Sequence, residues 1–177
     1  MSDISRKRSF HRFHYQVIKF SAAKIRFFRC KGRVIRVSMG VGPLLPHLSH
    51  DDGRKVDLSF YYTKNKQEGN HKPSNSGYGK YVNPHPSEFI QTKSCLSNGH
   101  WQYDFTKYVT LGSRNDLKFD AKNTKKLANL LVHNPLTQKI LIEPHLKTRM
   151  NLSHNKVRFQ GCHAVRHDDH IHHQINK

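Results

Sequence analysis

The sequence predicts an α+β domain in which a small antiparallel sheet is flanked by helices and long loops. Short runs rich in β-branched and aromatic residues are mixed with helical patterns, and they lack the regular strand–helix–strand repeat of a parallel α/β fold. The hydrophobic content of the 177-residue chain is 35%, which is low for a globular domain. We therefore expect one compact domain with much irregular chain.

The chain divides by composition into two parts. Residues 1–32 form a basic and aromatic N-terminal region, in which residues 15–28 are interpreted as an amphipathic helix. Residues 33–177 form the main domain, which holds every motif considered below.

The first two strands are predicted from residue type and alternation. Residues 33–39 (RVIRVSM) place mostly apolar side chains on one face and mostly polar side chains on the other, as a half-buried strand does. Glycines and prolines within residues 40–46 end this strand, and residues 47–54 are predicted to form a loop. Residues 56–62 (VDLSFYY) are rich in strand-forming types and predict the second strand.

The middle and the end of the chain contain one long loop and four further elements. Residues 63–87 are rich in Lys, Asn, Gly and Ser and predict the loop, whereas the aromatic residues 101–109 are ambiguous. Residues 123–133 predict a helix with Leu127, Leu130 and Leu131 on one stripe and Asn123 or Thr124 as its cap. The remaining predicted elements are a short buried strand, a helix with proline in its first turn and a terminal strand, at residues 139–142, 144–150 and 170–175.

The charge of the chain is strongly positive, with 31 Lys and Arg against 12 Asp and Glu and a formal net charge of +19. Such a field attracts polyanions such as nucleic acid, anionic lipid or an anionic cell-wall polymer, although solubility and non-specific adhesion explain it equally well. No apolar run approaches the roughly 18–20 residues that a membrane helix needs, so no membrane span is expected. The three cysteines include no CxxC pair, so a thiolate zinc site is not expected and at most one disulfide can form within the chain.

Fifteen histidines are unusually many, and some of them lie in two clusters. The first cluster consists of His47 and His50, and His50 begins the stretch HDDGRKVD, which runs from a predicted loop to Asp57 at the start of a predicted strand. The second includes HDDHIH at residues 167–172, at the start of the terminal strand. Because side chains alternate along a strand, His170 and His172 are expected to point to the same face.

These residue types suit a zinc site with catalytic capacity. Two imidazoles and one carboxylate are typical zinc ligands, and three protein ligands leave a fourth position for water. Zinc acidifies water and polarises a carbonyl group, which are the requirements of peptide hydrolysis, and a neutral histidine nearby can pass the proton to the leaving amine. The alternatives are surface histidines, a capping or solvated aspartate, and adventitious metal binding by a histidine-rich C-terminus.

The two motifs resemble those of one peptidase family. PHLSHDDGRKVDLSF at residues 46–60 resembles the HxSHxxGxxVD element of the penicillin-insensitive murein endopeptidases, and RHDDHIH at residues 166–172 resembles the HDxHxH element that closes their site. Residues 123–150 resemble the helix, strand and helix before that final motif. The similarity covers residues 42–172, with residues 63–101 poorly matched. This family belongs to the lysostaphin-type and D-Ala-D-Ala group of zinc peptidases.

The resemblance implies a role for each matching residue. It implies a zinc ion held by His50, Asp57 and His172, with His170 as the general base. It also implies that His167 acts beside His170 in catalysis.

Other acidic and histidine residues receive lesser roles. The resemblance implies that His47 lines the site and orients substrate or another histidine. Asp168 and Asp169 are expected to fix the turn or to hold an imidazole tautomer. His163 and His173 match nothing in the family and are expected at the surface.

The implied activity is hydrolysis of amide bonds in peptidoglycan peptide cross-links, between D-alanine and meso-diaminopimelate, in the periplasm or cell wall. The N-terminus shows no apolar segment of the kind found in secretory signals. Two alternatives stay open, a basic nucleic-acid-binding protein and a homologue that binds metal or wall without catalysis. The absence of a nucleic-acid-binding motif counts against the first, and the presence of His170 counts against the second.

Overall fold

The structure, a computed structural model, describes residues 28–30, 33–35, 37–38, 54–69, 71–109 and 112–176. Its strands are β1 (Phe28–Cys30), β2 (Arg33–Ile35), β3 (Val37–Ser38), β4 (Lys55–Ser59), β5 (Tyr62–Lys64), β6 (Gln67–Gly69), β7 (Leu117–Phe119), β8 (Thr137–Leu141), β9 (Val157–Arg158) and β10 (His170–Ile175). Its helices are α1 (Gln91–Ser97), α2 (Ala121–His133) and α3 (Pro144–Arg149), and a 3₁₀ segment spans Trp101–Val109. The mixture of helices and small sheets confirms the α+β class.

The main sheet has five strands in the order β3-β4-β10-β8-β9, so the C-terminal strand lies at its centre. All neighbouring strands are antiparallel except β8 and β9. These two are parallel because α3 lies between them in the chain and carries it back to the same end of the sheet. Two smaller sheets are formed by β6-β5-β7 and by β1-β2.

Alternation along β10 separates an apolar face from a polar face. Ile171 lies opposite Leu58 of β4, and both are buried in the hydrophobic core. His172 lies opposite Asp57 in the same pairing. Since directly opposed residues project to the same side of a sheet, the core lies on one side of β4 and β10 and the polar pair lies on the other.

Helix α2 covers the apolar side of the sheet. Its buried residues include Leu127 and Leu131, whereas Leu130 is 38% exposed, so the predicted stripe is right at two of its three leucines. The helix begins two residues earlier than predicted, because the side chain of Asp120 caps it by accepting from the backbone N–H of Asn123 at 3.0 Å. The predicted caps, Asn123 and Thr124, therefore lie inside the helix.

The predicted strand at residues 56–62 is two strands in different sheets. The backbone of Tyr61 leaves the ladder, because its N–H donates to Thr124 Oγ1 at 3.1 Å and its carbonyl accepts from the N–H of Asp120 at 2.9 Å. These bonds tie the break between β4 and β5 to the start of α2. The change of sheet follows from them.

The predicted long loop at residues 63–87 begins with a hairpin that the sequence did not reveal. Strands β5 and β6 are joined through Asn65 and Lys66, which both have positive φ, 50° and 63°. Positive φ at both turn positions matches the right-handed twist of the flanking strands. The highly polar composition of the hairpin hid its strand pattern.

Several predictions at the N-terminal side are only partly covered by the described residues. The strand predicted at residues 33–39 is present as β2 and β3, which belong to different sheets. Phe28, the last residue of the predicted amphipathic helix, lies in β1, and the rest of that helix lies outside the described residues.

In the rest of the chain, strand β10 and helix α3 match their predictions and residues 101–109 form the 3₁₀ segment. The elements α1, β7 and β9 had no predicted counterpart. Among the described residues, no helix has the length and apolarity needed to cross a membrane.

An ion pair between Glu88 and Arg149 ties α3 to the segment before α1. Arg149 Nε donates to Glu88 Oε1 at 3.0 Å, and Arg149 Nη2 donates to Glu88 Oε2. The hydrogen bond from Arg149 lowers the pKa of Glu88 to about 2. This carboxylate therefore contributes stability above the pKa it has in the unfolded chain, about 4.3, and the contribution is lost as pH falls towards 2.

Glu88→Gln is expected to lower the free energy of unfolding at pH 7 by about 1 kcal/mol, the upper value for a partly exposed pair. The difference from wild type should shrink as pH falls from about 4.5 to 2. Urea unfolding at a series of pH values measures both effects. Arg149→Gln should cause a similar loss, and a double variant with additive losses would show that the two side chains do not act as a pair.

Candidate metal centre

The polar side of β4 and β10 brings an aspartate and two histidines together. Asp57 Oδ1 lies 2.8 Å from His172 Nδ1 and 3.7 Å from His170 Nε2. The three residues are only 4%, 7% and 3% exposed, respectively. The strand pairing explains this closeness, because Asp57 is directly opposite His172 and His170 is two positions along the same strand face.

His167 completes a cluster of three imidazoles. Its ring centroid lies 5.0 Å from that of His170 and 5.6 Å from that of His172. Its backbone N–H donates to Glu143 Oε1 at 2.9 Å, which anchors the turn before β10 to the start of α3. His167 is itself buried.

The structure thus places four of the six predicted site residues in one cluster: Asp57, His167, His170 and His172. The other two, His47 and His50, lie outside the described residues. Within the described part of the chain, no group of three or more His, Cys, Asp or Glu side chains has an arrangement that could hold a metal ion. The predicted third ligand, His50, belongs to the part that is not described.

The histidines expected at the surface behave differently from one another. His163 is exposed, as expected, and its ring contacts His100 with a centroid separation of 4.5 Å. His173 is half-buried, and its Nε2 lies 2.9 Å from Thr137 Oγ1. Burial lowers the pKa of His173 to about 4, so it is neutral at physiological pH. The expectation of a surface position was wrong for His173. Strand β10 lies at the centre of the sheet, and the His173 side chain contacts Thr137 of the neighbouring strand β8.

Asp169 fixes the orientation of His170. One of its oxygens contacts His170 Nδ1, and the other accepts the backbone N–H of Gly79 at 2.6 Å. In the neutral imidazole this contact keeps the proton on Nδ1 and turns Nε2 towards Asp57. Of the two roles expected for Asp169, the geometry supports holding the tautomer.

Asp168 instead forms an ion pair with Arg166. The guanidinium contacts both oxygens of Asp168 and also donates to Asp104 Oδ1 at 3.0 Å. Burial raises the pKa of Asp168 to about 7 although Arg166 acts in the opposite direction. This pair fastens the turn before β10 to the 3₁₀ segment, which is the turn-fixing role expected for Asp168.

The 3₁₀ segment is held against the cluster by further contacts. The hydroxyl of Tyr103 donates to Glu143 Oε2 in the buried interior. A disulfide joins Cys95 of α1 to Cys162, four residues before Arg166. This pairing answers the question that the cysteine count left open, and it leaves Cys30 as the third cysteine.

The electrostatics around His170 favour positive charge. Burial by itself lowers the pKa of His170, but the negative charges of Asp169 and Asp57 outweigh burial and raise the pKa to about 9. Burial also raises the pKa of Glu143, which is hydrogen-bonded to Tyr103. Burying this many carboxylates lowers the stability of the fold unless positive charges lie beside them.

The residue types of the cluster, a carboxylate and imidazoles, are those that zinc prefers, but Asp57 Oδ1 and His172 Nδ1 lie too close together for the ion to sit between them as they stand. Tetrahedral zinc with ligand distances of about 2.0–2.2 Å keeps two ligand atoms about 3.3 Å apart, and Asp57 Oδ1 and His172 Nδ1 are already 2.8 Å apart. An opening of about 0.5 Å would therefore admit the ion. A cation between them would also offset the negative charge of Asp57 and lower the pKa of His170 towards neutrality.

Two tyrosine contacts at the cluster were not predicted from the sequence. Tyr78 donates its hydroxyl to Asp57 Oδ2 at 2.7 Å, and Tyr103 meets Glu143. Both tyrosines lie in stretches without a recognisable motif, 21 and 40 residues from their partners. Their residue type offered the only signal, since a buried tyrosine hydroxyl usually finds a hydrogen-bond partner.

Comparison with known proteins adds no relative. No protein-family model matches the chain, and searches of curated proteins and of solved structures found no match. The function is therefore inferred from the geometry of the cluster and from the resemblance of its two motifs.

Proposed function

We propose that this chain is a zinc-dependent peptidase that hydrolyses amide bonds in peptidoglycan peptide cross-links, in the manner of a murein endopeptidase. The observation that carries the proposal is the convergence of Asp57 Oδ1, His172 Nδ1 and His170 Nε2 on one side of the central strands. A carboxylate and imidazoles are zinc ligands in catalytic sites that bind through three protein groups. The third ligand would be His50.

The residues of the cluster divide into those that hold the metal and those that move a proton. His50, Asp57 and His172 would hold zinc, which when bound supplies Lewis acidity to activate water and polarise an amide carbonyl. His170 Nε2 takes a proton from the attacking water and delivers it to the leaving amine. Asp169 stabilises the imidazolium formed in between, because its carboxylate contacts Nδ1.

His167 and His47 would assist at the edges of the site. The ring of His167 contacts both His170 and His172, so it restricts the orientations that those two imidazoles can adopt. It can also donate a hydrogen bond to the substrate carbonyl as negative charge develops there. The role of His47 towards substrate follows from its motif alone.

The Cys95–Cys162 disulfide supports a location in the periplasm or at the cell wall. Disulfides form and persist in oxidising compartments and are rare in the cytosol. The net charge of +19 suits attraction to an anionic wall polymer. Peptidoglycan peptides are the proposed substrate, and an anionic polymer is the proposed second contact.

The test is mass spectrometry of muropeptides. Purified cross-linked muropeptides incubated with the protein are expected to yield uncross-linked products, a chelator should stop the conversion, and added zinc should restore it. Matched incubations without protein give the background. Cleavage that continues unchanged after zinc removal would contradict a zinc-dependent mechanism.

A second candidate, nucleic-acid binding, is favoured by the net charge of +19. Such binding falls steeply as salt concentration rises, because it releases counterions from the phosphate backbone. It would be indifferent to chelation and would produce no muropeptide products. A non-catalytic homologue would bind zinc or wall material without forming those products either.

A further inference from the structure

Tyr78 lies in a tight turn that covers the polar side of β4 and β10. It is flanked by Gly77 and Gly79, whose φ angles of 96° and 80° are in the left-handed region that glycine adopts without strain. Hydroxyl groups of two serines fasten the turn, since Tyr78 N donates to Ser76 Oγ at 3.1 Å and Tyr78 O accepts from Ser74 Oγ at 2.7 Å. The turn is therefore held in place by its own hydrogen bonds.

This turn contacts both carboxylates that face the histidines. The Tyr78 hydroxyl donates to Asp57 Oδ2, and the next backbone N–H, that of Gly79, donates to Asp169 Oδ2. The Tyr78 ring also packs edge-on against His170, with centroids 5.1 Å apart and an interplanar angle of 85°. Tyr78 is 5% exposed, so these contacts are made away from solvent.

The Tyr78 contact makes the two oxygens of Asp57 unequal. Oδ2 accepts the tyrosine hydroxyl, whereas Oδ1 is the oxygen nearest to His172 Nδ1 and His170 Nε2. A carboxylate whose second oxygen accepts a hydrogen bond presents one oxygen to a metal. Without that bond, it can rotate or offer both oxygens, which raises the coordination number.

We propose that Tyr78 is a positioning residue that holds Asp57 as a one-oxygen ligand of the metal and so keeps one coordination position open. This inference rests on the metal centre in the proposed function and adds to it a residue outside both motifs. Groups that orient metal ligands act on metal affinity and geometry, and their loss weakens metal binding about 10–100-fold. Tyr78 belongs to this class because it touches a ligand and not the reacting atoms.

The test is Tyr78→Phe, which keeps the ring and its contact with His170 and removes only the hydroxyl. Zinc affinity of the full chain, measured by competition with a chromophoric chelator, is expected to fall about 10–100-fold. Cobalt bound in place of zinc should show weaker visible absorption in the variant, because a higher coordination number lowers the intensity of these bands. Unchanged affinity together with an unchanged cobalt spectrum would overturn the inference.

Tyr81→Phe is the matched control. Its hydroxyl lies 2.7 Å from Thr106 Oγ1, the same length as the bond of Tyr78, but it does not contact Asp57. In metal-free protein both variants should lose thermal stability, because each loses one tyrosine hydrogen bond, and Tyr78→Phe should lose more because its bond is to a charged carboxylate. Only Tyr78→Phe should reduce the rise in Tm that zinc produces; an equal rise in both variants would mean that Tyr78 is merely structural.

The outcomes separate this inference from the proposed function. Wild-type protein that binds zinc but leaves muropeptides intact would contradict the peptidase, while the Tyr78→Phe affinity would still decide the positioning role. Wild-type protein that cleaves muropeptides with zinc affinity unaffected by Tyr78→Phe would contradict the positioning role alone. Wild-type protein that binds no zinc would overturn both.

Discussion

Replacing Asp57 with alanine is expected to remove zinc binding, and with it the cleavage of muropeptides down to the background rate. Asp57 is the residue on which the cluster converges, since one of its oxygens faces both His172 and His170 and the other is held by Tyr78. Loss of a ligand should exceed the roughly 10–100-fold weakening that follows loss of a residue that only orients one. The zinc content of dialysed protein, measured by elemental analysis, checks this.

The matched control for Asp57→Ala is Asp116→Ala. Asp116 is also an aspartate in ion pairs, with Lys64 and Arg114, but its side chain is 40% exposed and it lies directly before β7, away from the cluster's strands. This control variant should keep its zinc and its activity. Wild-type zinc content in a chain that carries both His50→Ala and Asp57→Ala would contradict the central hypothesis.

Regular elements near the cluster followed from local pattern. The alternation of HIHHQI predicted β10 and the common face of His170 and His172, and the pairing of β10 with β4 agrees with it. The leucine stripe of α2 predicted that helix to within two residues at its start. Such features are encoded by neighbours in the chain, so one sequence is enough to read them.

Features that depend on contacts between residues far apart in the chain could not be predicted from the local sequence pattern. The break between β4 and β5 exists because Tyr61 bonds to Thr124, which lies 63 positions away. Likewise, nothing local distinguishes Tyr78 from the other tyrosines of a polar, glycine-rich stretch. The role proposed for Tyr78 comes from its hydrogen bond to Asp57, which lies on β4.

For the four site residues that the structure describes, the motifs predicted that they meet but not how they are held. The sequence left two roles open for both Asp168 and Asp169, and the structure divides these roles between them. Asp168 forms an ion pair with Arg166, whereas Asp169 accepts the backbone N–H of Gly79 and contacts the imidazole of His170. This division depends on which way each side chain points at the entrance to β10, and no residue pattern specifies that direction.

Replacing His170 with alanine is expected to lower the rate of muropeptide cleavage about 10²–10⁴-fold, the usual contribution of a positioned general acid or base. Zinc should stay bound, because Asp57 and His172 face each other without help from His170. The rate of product formation at saturating substrate, measured beside zinc content, separates these two effects. A His170→Ala protein that cleaves at the wild-type rate would refute the proton-transfer role.

His173→Ala is the matched control for His170→Ala, because it removes a histidine from the same strand but from the opposite side of the sheet. His173 contacts Thr137 and lies opposite Val56, so its loss affects stability and not the cluster. Cleavage per folded molecule should match wild type. Asp169→Asn should fall between the two variants in rate, since it leaves the His170 imidazole in place but removes the charge that stabilises its protonated form. This graded order, with zinc content equal throughout, is the pattern that a base oriented by a carboxylate produces and that a general loss of folding does not.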